Sequence, residues 1–181
     1  FAAEKKREAL DIFSSIPMPK EKEEDWRYTE IGKLKLESFE PFESKTSISA
    51  AKLSEDLTEK GIILTDINTA FEKYQIAREH LLKGLNIENE KVIALNAAYF
   101  NNGIFLYIPK NVELEEPIRV NFNFDSQASI LHNLVVVDSN SKADVIEEYS
   151  NNEIQKEQLN SGITEIFAND NSKINFYNIN N

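Results

Sequence analysis

Cysteine is absent from this 181-residue chain. That absence removes disulfides, thiolate metal ligands and a cysteine nucleophile from the chemistry it can hold. Histidine is nearly absent too: His80 and His132 have no second histidine close by in sequence, so no paired-histidine metal motif exists. The five glycines are scattered, and no glycine-rich phosphate loop can be built from them. Basic charge is scarce, with 20 Lys and Arg against 31 Asp and Glu and a net charge of −11. Residues 92–181 are the most one-sided, since only Lys110, Arg119, Lys142, Lys156 and Lys173 offset their acids. Such a surface repels phosphate backbones and carries no basic stripe, which argues against nucleic acid as a partner. No run of about 18 apolar residues occurs, so no membrane-spanning helix is expected and a membrane is not a partner. No signal peptide is visible, and because the chain opens at Phe1, leading residues are expected to precede it. A cytoplasmic location is compatible with these features.

What the chain does contain is a repeat. Ile104, Val135 and Ile166 recur 31 residues apart, as do Leu106, Val137 and Ala168. Val112, Ala143 and Ile174 follow the same step, and so do Leu114, Val145 and Phe176. Polar positions echo as well: Asn102 with Asn133, Asn121 with Asn152, Asn140 with Asn171, Ser141 with Ser172, Lys142 with Lys173. Apolar residues alternate within each copy, which is strand periodicity, and Asn-rich turns separate the runs. A strand–turn–strand unit at fixed period is the mark of a solenoid, because each coil buries its inner face only against its neighbours. The pattern predicts a parallel β-helix over residues 101–181, with side-chain amides of the recurrent Asn hydrogen-bonding along its axis. The last copy stops at Asn181 without a polar cap, so further coils are expected to follow, and the exposed last coil is expected to drive self-association.

Residues 1–100 read as a helical and irregular front section. A helix is predicted over 2–14, then an extended break at Pro17-Met18-Pro19. Ile31, Leu34, Leu36, Phe39 and Phe42 pin a mostly irregular strip. Ser49–Glu59 is read as a short helix ending at Gly61, and Gly61–Thr65 as a strand. Asp66 or Asn68 caps a helix continuing through Leu82 to Gly84. Val92–Phe100 is ambiguous between strand and helix. Ala97-Ala98 and the closing Asn101-Asn102-Gly103 favour a helix that seals the first coil.

Three stretches together resemble a known family: Pro17-Met18-Pro19 with Glu24-Asp25-Trp26-Arg27-Tyr28-Thr29; Ala94 through Lys110; and Val112-Glu113-Leu114-Glu115-Glu116-Pro117-Ile118. Their order is similar to that in the SufB/SufD family of the SUF iron–sulfur cluster assembly system, and the Trp-Arg-Tyr-Thr element looks more like SufD than SufB. The resemblance implies a longer protein with a helical N-terminal part, a right-handed parallel β-helix and a helical C-terminal part. It further implies a non-catalytic scaffold that pairs with a SufB-like paralogue and binds a SufC-like ABC ATPase through C-terminal regions. The full complex is implied to handle an iron–sulfur cluster, with a flavin left open. Residues implicated in building the cluster lie beyond Asn181, so no catalytic, cofactor or metal residue is carried over. The alternatives are a SufB-type cluster scaffold and, from another class, a β-helical carbohydrate-active enzyme.

Trp26, Arg27 and Tyr28 are the densest group of special side chains. They are read either as a partner-binding patch, since these types are enriched in hot spots, or as anchors for the front section. His132 is read as a hydrogen-bonded wall residue rather than a metal ligand, and His80 as solvated. Glu113, Glu115 and Glu116 read as a solvated strand face. Glu147 and Glu148, being adjacent, face opposite sides and make a poor acid–base pair. Gly103 reads as a positive-φ turn position.

Overall fold

The computed structural model describes residues 2–20, 23–39, 47–50, 53–124, 127–151 and 157–181. Phe42, Asn152 and Lys156, named above, lie outside them.

The front begins with α1 (Ala2–Ser15), which stops short of Pro17 because proline disfavours a helical residue before it. Three short 3₁₀ turns follow, at Glu24–Trp26, Ile31–Lys33 and Leu36–Phe39. Ile31, Leu36 and Phe39 are buried, so the strip is pinned as the sequence predicts. The proposed Ser49–Glu59 helix is shorter than expected: Ser47–Ala50 forms strand β1, and only Glu55–Glu59 is helical (α2), capped by Ser54 Oγ. After β2 (Ile63–Asp66), Asp66 Oδ1 accepts the Thr69 amide at 2.9 Å and starts α3 (Ile67–Lys73). The single helix predicted to Gly84 is instead broken at Tyr74, and α4 covers Gln75–His80. The break is tolerated because Arg78 Nη1 donates to the freed carbonyls of Phe71 and Glu72, at 2.7 and 3.2 Å. Helix α5 (Lys91–Tyr99) resolves the strand–helix ambiguity in favour of the helix.

Six strands follow: β3 (Ile104–Ile108), β4 (Ile118–Phe124), β5 (Ala128–Val137), β6 (Lys142–Asn151), β7 (Leu159–Ala168) and β8 (Lys173–Asn180). They alternate between two four-stranded sheets, ordered β2-β3-β5-β7 and β1-β4-β6-β8. From β3 and β4 onward every pairing is parallel, while β1 and β2 add antiparallel to β4 and β3. The sheets face each other through Leu106, Val135, Val120, Phe122, Ala143 and Val145. A second core, containing Leu95, Phe100, Phe105, Ile130, Leu134 and Val136, joins the outer face of the β3-β5-β7 side to the helices. All ten residues of β5 are therefore buried, because it is covered on both faces.

The 31-residue step holds where the last two copies meet: Val135 pairs with Ile166, Ala143 with Ile174 and Val145 with Phe176. It does not hold for the first copy. Leu106, not Ile104, stands beside Val135, and Ile118, not Leu114, stands beside Val145. Those offsets are 29 and 27, both smaller than 31 by an even number, so each side chain keeps its face. The second slip has a local cause: Glu113 bridges Lys142, and the chain then detours through Pro117, which has no N–H for a ladder, before β4 begins. Helix α5 also differs in position from its predicted role. Rather than sealing a coil end, it lies against the outside of β5, with Asn96 Nδ2 donating to Leu131 O at 2.8 Å.

Candidate functional site

Strand alternation sends His132 to the outer, helix-covered face of β5 and Asn133 to the space between the sheets, and each nucleates a buried polar cluster. His132 is fully buried. Its Nδ1 lies 3.1 Å from Asn96 Oδ1 on α5, and its Nε2 lies 2.8 Å from Glu165 Oε1 on β7. Glu165 also accepts the amides of Leu82, at 2.7 Å, and Gly84, at 2.8 Å. The turn that presents those amides holds Leu82 at φ +60, a costly conformation for leucine that these hydrogen bonds help to fix. Asn96 Nδ2 reaches Ser161 Oγ at 3.2 Å. A serine, a histidine and a carboxylate are thus neighbours, but Ser161 contacts Asn96 rather than the imidazole, so no activated nucleophile is formed.

Between the sheets, Glu147 is fully buried and accepts from Tyr149 Oη at 2.7 Å, Thr164 Oγ1 at 2.8 Å and Asn133 Nδ2 at 3.1 Å. Burial pushes the Glu147 carboxyl up from the ordinary carboxylate range, and the three hydrogen bonds oppose that shift. The Tyr149 phenol is pushed up as well, first by burial and then by the Glu147 charge. Asn133 Oδ1 turns the other way and accepts the Ile104 amide at 3.0 Å, tying β5 to β3. The parity of β6 could have located Glu147: it shares a face with Ala143 and Val145, while Glu148 faces outward 3.9 Å from Arg119. Tyr149, two residues on, shares that face, but Thr164 and Asn133, like Asn96 and Glu165 around His132, leave no signal at short range in sequence.

Trp26 is half-buried and lines a groove of about 370 Å³ with Ile31, Leu34, Ile93 and Ile163. Arg27 is exposed, and Tyr28 is 92% exposed with the Arg27 guanidinium 6.0 Å from its ring centre. The three residues therefore do not share one environment. His80, expected to be solvated, is instead half-buried, its ring edge against Phe167 at 4.8 Å and its Nδ1 against Ile76 O. Glu113, Glu115 and Glu116 are exposed as expected. Among the described residues, no three His, Asp or Glu side chains converge as a metal site requires. Also among them, no helix is long and apolar enough to cross a membrane, and no buried side-chain N or O lacks a hydrogen-bond partner.

Residues 120–181 match the family described as "SUF system FeS cluster assembly, SufBD core domain", and residues 42–120 match "SufBD protein N-terminal region". The chain is 27% identical to the iron–sulfur cluster assembly protein SufD of Bacillus subtilis, over 93% of this chain and 46% of that protein. It is 30% identical to Bacillus subtilis SufB over 64% of this chain and 26% of that protein. An iron–sulfur cluster assembly SufBD family protein of Staphylococcus epidermidis is 27% identical over 71% of this chain and 28% of its own length. The chain thus spans less than half the length of these curated relatives.

Proposed function

This chain belongs to the SufB/SufD family of iron–sulfur cluster assembly proteins, and on that premise we propose that it is the front part of a SufD-like, non-catalytic scaffold subunit. The observation that carries this reading is the parallel pairing of strands that alternate between two sheets, 31 residues apart where the last two copies meet, with both buried polar clusters closed on themselves. A wall so built is stiff, and its polar atoms are committed to holding it together rather than to chemistry. Within the reading, residues 101–181 are the opening coils of a right-handed parallel β-helix, the hand being that of nearly all parallel crossovers. Residues 1–100 are the front section mounted on its side.

The scaffold works by geometry. Strands locked in register transmit a displacement applied at one end to the other, so closure of an attached SufC-like ATPase would rearrange an interface with a SufB-like paralogue. The cluster is the cargo of that assembly and is held outside this segment, which has no thiolate to offer. The setting is cytoplasmic, and whether a flavin takes part is left to the rest of the protein. The SufD assignment rests on the reach of that match across the front section, whereas the SufB match favours the second reading, a SufB-type cluster scaffold. Co-expression of the full-length protein with each SUF component tests the proposal. A stable complex with a SufB-like protein and a SufC-like ATPase is expected, and cluster build-up should fail without the partner. Cluster ligation by the isolated full-length chain would establish the SufB-type reading instead.

A further inference from the structure

The hydrogen-bond arithmetic around His132 is more demanding than its role as a wall residue requires. Leu131 O can only accept, so the Asn96 amide must turn Nδ2 toward it, at 2.8 Å, and Oδ1 toward His132. An Oδ1 cannot donate, hence His132 Nδ1 carries a proton. On the other side of the ring, both Glu165 oxygens already accept a backbone N–H, from Leu82 and Gly84, which is the arrangement that stabilises a carboxylate. Glu165 Oε1 therefore accepts again from Nε2 at 2.8 Å, and Nε2 carries a proton too. The Phe100 ring centre lies 4.8 Å from the imidazole, offering its π face to a cation.

We infer that His132 is an imidazolium and that, with Glu165, it forms a buried, proton-dependent latch joining α5 and the 82–84 turn to the outer face of β5 and β7. Withdrawing one proton breaks the ring's bond either to Asn96 Oδ1 or to Glu165 Oε1 in a site closed to water, so the latch is lost on one side. The other charged groups facing the latch are few. From α1, Lys6 lies 4.1 Å above the Phe100 ring and donates to Phe100 O. From α4, His80 packs on Phe167 and bonds Ile76 O. Lys83 of the turn lines a surface groove with Lys5, Glu8 and, from α4, Arg78 and Glu79, and α5 contributes only the Asn96 amide to the cluster. Among the described residues, Glu165 is thus the single anion bonded to the ring.

The sign of the pH effect follows. If the native ring carries both protons, the native state binds one more proton than an unfolded histidine does above about pH 6.5, and stability falls as pH rises. Nitrogen-15 NMR of histidine-labelled 181-residue chain, with His80→Gln used to assign the signals, reads the ring directly. Protons on both His132 nitrogens at pH 8 are expected, and a ring with one proton at pH 7 overturns the inference. Urea unfolding between pH 7 and 9 gives a second reading in which a merely structural histidine would show nothing. The unfolding constant of the parent should rise by up to tenfold per pH unit more than that of His132→Gln. Equal slopes would refute the latch. If the variant does not fold, the NMR result on the parent decides.

Discussion

Asn171 donates its Nδ2 to Asn140 Oδ1 at 2.8 Å, and Asn140 in turn donates to Asn111 Oδ1 at 3.2 Å. All three adopt positive φ, at +57, +58 and +63. The ladder joins one turn of each successive strand pair, and asparagine is the non-glycine residue best able to combine that backbone with an axial amide. Replacing Asn140 with Ala should cost about 2–3 kcal/mol, from the strained backbone and two lost hydrogen bonds. Asn140→Gly keeps the backbone comfortable and should cost only about 1 kcal/mol. Urea midpoints of the two variants separate the contributions, and equal losses would contradict this account.

Gly103 holds φ +140, and a Cβ built there would lie 1.9 Å from His132 O. That carbonyl belongs to β5, whose His132 amide is fixed by Asn102 O at 3.0 Å, so neither backbone can retreat. Gly103→Ala is expected to destabilise by about 4 kcal/mol or to prevent folding. Circular-dichroism melting checks it, and a loss within about 1 kcal/mol would show that the strand can shift after all.

Glu147 gives a pH dependence of defined sign. Its carboxyl is pushed up in the folded state, so the native protein holds a proton that the unfolded chain releases near the ordinary carboxylate range. Stability attributable to this group is full at acid pH and is lost as pH rises through that window. Glu147→Gln removes the buried charge, so at pH 7 it should be neutral or stabilising by about 1 kcal/mol, with the gain vanishing toward pH 4. Denaturant unfolding of both proteins across pH 4–7 reads the difference. Strong destabilisation at pH 7 would mean that the charged form is the one the cluster is built to hold.

Trp26 and Tyr28 should behave oppositely. Trp26 lines the groove against α5 and β7, and Trp26→Ala is expected to cost about 2 kcal/mol, less than a fully buried tryptophan. Tyr28→Ala should change stability by less than about 0.5 kcal/mol, so any loss of partner binding it causes reports an interface. Melting curves paired with pull-downs of the full-length protein distinguish the two roles.

The outer edges of the sheets are unequal. At one side they end in four-residue β1 and β2, and at the other in β7 of ten residues and β8 of eight. Short edges resist further pairing and long ones invite it, and β8 also exposes Tyr177 and Ile179. The 181-residue chain should self-associate in sedimentation velocity at high concentration, and Ile179→Lys should reduce it. A monomer at every concentration would count against this.

Much of the strand region was legible because its physics is periodic. Alternation marks the faces of β5 and β6, and the common step of 31 records how Val135, Ala143 and Val145 lie on Ile166, Ile174 and Phe176. The first copy was misaligned because a slip of two or four residues preserves the alternation that sequence reveals, and only the ladder hydrogen bonds choose among even registers. The helical break at Tyr74 was hidden for a related reason, since the Arg78 guanidinium that makes it tolerable is a tertiary compensation.

By itself, then, the sequence determined the alternating strand pattern, the turn asparagines, the need for glycine at 103 and the absence of thiolate chemistry, all of which depend on residue type and short-range spacing. Tertiary structure alone decided the register of the first copy, the seat of α5 on the outer sheet face and the closing of the His132 and Glu147 clusters. Hydrogen-bonded partners in them lie from 2 residues apart, as Glu147 and Tyr149 do, to 83 apart, as Leu82 and Glu165 do. Which distant polar groups meet is chosen by packing, because each must find a partner once water has been excluded.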